Sequence, residues 1–125
     1  MDPKDRPPGT AGMLASEAGD KYAKDRESDM HSRFMGYCGL KGILVEHEKP
    51  TKRSTSVPGW PDFRLFYRER RFLAIEFKVK PNGLTKEQEE IRAMLEAFGF
   101  RYVVAYSLAE AIHAAQEYLI HGRTV

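Results

Sequence analysis

Along residues 72–79, Leu73, Ile75, Phe77 and Val79 recur with period two, which predicts a strand with one apolar face. Glu76 and Lys78 fall together on its other face. Just upstream, Arg68-Glu69-Arg70 reads as the three-residue connection of an antiparallel hairpin. That register pairs Phe66 with Phe72 and sets Asp62, from the run Gly59-Trp60-Pro61-Asp62, directly opposite Glu76. Their Cβ atoms would then lie roughly 5 Å apart. The connection lacks the glycine that such turns favour.

Other stretches carry the 3.6-residue period. From about Ser16 to Cys38 no proline interrupts the chain, and Ala23, Met30, Phe34, Tyr37 and Cys38 share one helical face, predicting a first helix that ends near Gly39. Glu27 lies on that same stripe, where a charge needs a partner. Ile43 to Glu48 is a short strand candidate, and Lys49 to Pro58 reads as a basic loop. Thr85 and Gln88 fit a capping box that starts a second helix at Lys86, with Ile91, Met94, Leu95 and Phe98 inward and Gly99 as its left-handed stop. Tyr102 to Tyr106 predicts a strand buried on both faces. Ser107 and Glu110 form a second capping box, opening a helix with Ile112, Ala115 and Leu119 inward.

The resulting order is helix, strand, hairpin, helix, strand, helix. A strand, helix and strand in succession imply a right-handed crossover, so the last strand should run parallel to the one bearing Glu76. The fold class is α/β, with a mixed sheet flanked by helices and a C-terminal helix added.

Composition narrows the function. With 125 residues the chain has room for one small domain. Residues 1–14 are Pro/Gly-rich with little to bury, which predicts a disordered tail before a single domain over 15–125. Cys38 is the sole cysteine, so no disulfide framework or thiolate metal site forms within one chain. No apolar run reaches the ~20 residues that span a bilayer, and the N-terminus lacks a signal-peptide core, so a cytoplasmic protein with no membrane partner is expected. The net charge of +2 identifies no partner by itself. Lys49, Lys52, Arg53, Arg64, Arg68, Arg70 and Arg71 nevertheless concentrate beside the paired acids, as a polyanionic substrate would require.

Opposed carboxylates destabilise a sheet unless something neutralises them. Hard oxygen donors at this spacing suit Mg²⁺, which takes one or two carboxylates together with waters and phosphate oxygens. A solvated strand face is the plain alternative. Glu27 either pairs with a base or points at the same cation, with Glu17, Asp20 and Asp29 as competitors for that place.

Gly59-Trp60-Pro61-Asp62, then Glu76-Phe77-Lys78, then Leu84-Thr85-Lys86-Glu87-Gln88 resembles the VRR-NUC family of the PD-(D/E)XK nuclease superfamily over about residues 25–120. The resemblance implies a restriction-endonuclease-like αβββαβ core and hydrolysis of DNA phosphodiesters with Mg²⁺ or Mn²⁺. Asp62 and Glu76 would be metal ligands, with the Phe77 carbonyl as a further one and Glu27 completing the site from the first helix. Lys78 would orient the attacking water and stabilise developing charge. Gln88 resembles a glutamine on the family's active-site rim, in competition with its capping role. Lys49, Lys52, Arg53 and Lys80 are the candidate DNA contacts. Stand-alone phage and bacterial members resemble Holliday-junction resolvases, which implies a homodimer acting on branched DNA. Two other readings stay open: a DNA-binding module without catalysis, and a sequence-specific restriction endonuclease.

Overall fold

The β2/β3 hairpin forms in the register its alternation predicts. Phe66 faces Phe72 and Phe63 faces Ile75 in an antiparallel ladder between β2 (Phe63–Tyr67) and β3 (Arg71–Phe77). Glu69 and Arg70 in the connection take φ of 59° and 62°, the left-handed region that glycine normally fills. The Arg71 N–H closes the turn on the Arg68 carbonyl at 3.2 Å.

The computed structural model describes residues 15–48 and 57–123. The expected tail and the basic residues Lys49, Lys52 and Arg53 lie outside the described residues. Helix α1 spans Ala15–Leu40, β1 Leu44–His47, α2 Lys86–Ala97, β4 Arg101–Ala105 and α3 Leu108–Ala115, the last continued by a π-helical turn over Gln116–Ile120. The four strands lie in the order β1-β2-β3-β4, with β3 and β4 parallel and the other pairs antiparallel. This is the expected mixed sheet with an αβββαβ order and an added C-terminal helix. Among the described residues no helix is long and apolar enough to cross a membrane.

One sheet face carries the core. Phe34 and Cys38 of α1 and Ala111, Ala115 and Leu119 of the C-terminal helix close over Phe63, Leu65, Leu73, Ile75 and Phe77, all fully buried. Burial pushes the Cys38 thiol up to about 12, so it packs as a small hydrophobe. Helix α2 lies toward the opposite face, where Arg92 sits over the Tyr102 ring at 5.4 Å.

Several expectations need correction. Of the predicted α2 stripe only Ile91 is buried, whereas Met94 and Phe98 stand exposed because α2 meets the sheet mainly along β4. Strand β4 is an edge, so Val103 and Val104 are only half-buried. The second capping box is half formed: Ser107 Oγ accepts from the Glu110 N–H at 3.1 Å, but the Glu110 carboxylate accepts from the Tyr106 N–H instead. Two residues of the basic cluster also serve the fold. Arg64 is buried, bonded to Glu46 and to the Pro61 carbonyl beneath Trp60. Arg71 donates to the Leu119 and Ile120 carbonyls at 2.8 and 3.1 Å, capping the final helical turn.

Candidate metal centre

Asp62 ends the irregular run that enters β2, and three hydrogen bonds tie it to the residue that follows β1 and to the end of β3. Its carbonyl accepts from the Glu48 N–H at 2.8 Å, its own N–H donates to Glu76 Oε2 at 2.8 Å, and its Oδ2 accepts from the Phe77 N–H at 2.9 Å. The predicted opposition of Asp62 and Glu76 is therefore present, held by one bond from the Asp62 N–H to the Glu76 carboxylate and one from the Phe77 N–H to the Asp62 carboxylate.

Glycine makes the approach of this run possible. Gly59 has φ of 84°, and a Cβ there would collide with the Glu87 carbonyl group and stand 2.8 Å from the Gln88 nitrogen. The Gly59-Trp60-Pro61-Asp62 segment can thus lie directly on the first turn of α2.

That turn supplies Gln88. Its N–H donates to Thr85 Oγ1 at 3.2 Å while its side-chain Oε1 accepts from the Thr85 N–H at 2.9 Å, completing the capping box. The same amide donates through Nε2 to Glu76 Oε1 at 2.7 Å. The two roles weighed for Gln88 are compatible, because the box uses the amide oxygen and leaves the NH₂ for the carboxylate.

Glu76 is only 4% exposed, which rules out the solvated-face alternative. Lys78 Nζ lies 3.9 Å from Glu76 Oε1 on the same strand face. Burial, then the Asp62 charge, push the Glu76 carboxyl up to about 8, against the pull of the Asp62 N–H and Lys78. Glu27 is raised as well, by burial first and Asp62 next, with His31 and Lys78 opposing. The Asp62 charge thus discourages ionisation of both glutamates, and Glu27 adds to the effect on Glu76.

Helix α1 brings Glu27 and His31, one turn apart, to the same place. His31 Nε2 is 3.6 Å from Asp62 Oδ2 and 3.9 Å from Glu27 Oε1. Donor atoms of Glu27, His31 and Asp62 all lie within 4.8 Å of one another. These residues line a cleft of about 490 Å³ with Ser28, Ser32, Met35, His47 and Glu48. Among the rival acids, Asp29 is engaged on the surface with Arg33 at 3.1 Å, while the side chains of Glu17 and Asp20 lie outside the described residues. Lys80 is exposed, its Nζ 5.7 Å from the centre of the Tyr106 ring.

The donor set fits a divalent cation. Two glutamates whose proton affinity is raised beside the Asp62 charge want a positive charge, and His31 Nε2 is buried with no hydrogen-bond partner. His31 and His47 were not anticipated. The i, i+4 spacing of Glu27 and His31 on one helix face is the sequence signal that points to them.

No family model matches this chain, and no curated protein matches it. Among solved structures it is similar to one described as "VRR_NUC domain", at 17% sequence identity and a TM-score of 0.60. The similarity covers 74% of this chain and 97% of that one. At that identity the likeness concerns the path of the backbone. The helix, mixed sheet and flanking helices that carry Asp62, Glu76 and Gln88 have the fold of a VRR_NUC domain.

Proposed function

We propose that this protein is a divalent-metal-dependent deoxyribonuclease that hydrolyses phosphodiester bonds in branched DNA, such as Holliday junctions or flaps. The observation that carries the reading is Glu76: a carboxylate nearly sealed from water, bonded to the Asp62 backbone, beside Lys78 and Gln88. Burying such a group beside other acids is costly without a cation. A structural role alone would be met more cheaply by an apolar side chain.

Asp62, Glu76, Glu27 and the Phe77 carbonyl would hold Mg²⁺ or Mn²⁺. When bound, such an ion acidifies water and neutralises charge on a phosphate oxygen. Lys78 would orient the attacking water and stabilise charge developing on the phosphate. Gln88 keeps the Glu76 carboxylate turned toward Asp62. Lys80, with Lys49, Lys52 and Arg53, would hold the DNA backbone, and phosphate contacts of this kind give salt-sensitive affinity. A second copy of the chain would present a second site to a two-fold symmetric substrate.

Cleavage of linear, flap and four-way DNA with Mg²⁺, Mn²⁺ or EDTA tests the reading. Cutting of branched DNA that needs a divalent ion and disappears in Asp62→Ala and Lys78→Ala, while binding persists, is expected. Binding without cutting in any ion would leave a non-catalytic module. A light-scattering mass of one chain at micromolar concentration would remove the paired-site element.

A further inference from the structure

His31 adds to the carboxylates something the oxygen-only picture of the site lacks. Its ring is held on three sides, with centroids 5.1 Å from His47, 5.1 Å from Phe63 and 5.0 Å from Phe77. Its Nδ1 lies 3.2 Å from His47 Nε2. The His47 ring is itself stacked on Phe63, 4.3 Å between centroids and 8° from parallel. One nitrogen of His31 is thus engaged by a neighbour whose own orientation is fixed. The other, Nε2, is buried without a hydrogen-bond partner and stands between the oxygens of Asp62 and Glu27.

In the tautomer that carries its proton on Nδ1, directed at His47 Nε2, His31 presents a lone pair at Nε2. Facing two carboxylates, that lone pair is repulsive until a cation sits between them. Metal-ligating histidines show this arrangement, with one nitrogen toward the ion and the other fixed by a hydrogen bond. Within the fold a proton on Nε2 would have no hydrogen-bond acceptor, since Asp62 Oδ2 at 3.6 Å and Glu27 Oε1 at 3.9 Å lie at ion-pair and not hydrogen-bond distance.

Resting on the metal-centre reading above, we infer that His31 is a metal ligand through Nε2, oriented by His47. The site then favours divalent transition metals, which accept imidazole nitrogen, over Mg²⁺, which prefers oxygen donors and retained waters. The ion class at this centre is set on α1 and not only by the acids of the hairpin.

Binding measured without DNA tests this. Co²⁺ is followed by its visible absorption and Mg²⁺ by calorimetry, on wild type, His31→Gln and Asp62→Asn, each checked for folding by circular dichroism. Wild type should bind Co²⁺ more tightly than Mg²⁺. His31→Gln should weaken Co²⁺ by ~10-fold or more and change its spectrum, with Mg²⁺ shifted much less. Unaltered Co²⁺ affinity and spectrum in His31→Gln, with both ions lost in Asp62→Asn, would overturn the histidine's role and leave the carboxylate centre standing. Both ions retained in Asp62→Asn would remove the centre itself and this inference with it. Should His31→Gln fail to fold, side-chain ¹⁵N spectra of wild type decide: saturating Zn²⁺ should shift His31 Nε2, and an unmoved resonance contradicts ligation.

Discussion

Gln88 donates to Glu76 across 2.7 Å while its own backbone starts helix α2. A local rule of helix initiation and the orientation of a buried carboxylate therefore share one side chain. Gln88→Glu separates the two. Glutamate also serves in a capping box, so the helix start should survive, but a carboxylate would replace the amide donor that faces Glu76. Thermal unfolding in EDTA should fall by about 1–2 kcal/mol relative to wild type, with much of the loss recovered on adding a divalent ion. A variant as stable as wild type in EDTA would show that the contact carries little energy.

The raised Glu76 carboxyl makes stability depend on pH. Its ordinary value is 4.5 and the fold moves it to about 8, so the folded state favours the neutral acid. That contribution is complete below 4.5 and is lost as pH rises through 8. Glu27 acts in the same direction. Urea unfolding in EDTA should show declining stability between about pH 5 and 9, a slope that Glu76→Gln flattens. Divalent ions should bind more tightly over the same range, because the ligand form is the ionised one. A pH-independent midpoint in EDTA would contradict the buried-acid description.

Gly59→Ala attacks the site without touching a candidate ligand. The substitution forces an alanine into positive φ and its methyl into the Glu87 carbonyl group. A loss of about 1–3 kcal/mol is expected, together with weakened divalent binding, since Asp62 and Gln88 sit on the two segments pushed apart. Melting curves with and without Mn²⁺ report both effects. Stability lost with ion-dependent stabilisation intact would mean that the two segments move together.

Arg70→Gly should do the reverse. Arg70 occupies φ of 62° in the hairpin turn, where glycine meets no Cβ penalty. The variant should gain about 0.5–1 kcal/mol in urea unfolding, with cation affinity unchanged. A loss of stability would indicate that the arginine side chain contributes packing that outweighs the backbone conformation.

The hairpin register, the Thr85/Gln88 box and the parallel β3–β4 pair were legible because each rests on local periodicity or a chirality rule. Asp62 and Glu76 followed from the register alone. What the chain did not reveal depends on tertiary context. Arg64 and Arg71 belong by sequence to a basic cluster that suggests a polyanionic substrate, yet one is paired with Glu46 beneath Trp60 and the other caps a helix 48 residues away. His31 and His47 lie 16 residues apart, and nothing short of the α1–β1 packing tells that their rings meet. Met94 and Phe98 kept a helical spacing but lost their partner, since α2 meets an edge strand.

The burial of Cys38 gives the chain a practical asset. Its thiol is sealed in the core and held far above the ionisation range of a reactive cysteine, and the sequence contains no other. Maleimide chemistry on the folded protein therefore meets an unreactive background. A cysteine introduced at Ser28, on the rim of the cleft, would accept a dye selectively and signal the arrival of an ion or a nucleic acid from that position.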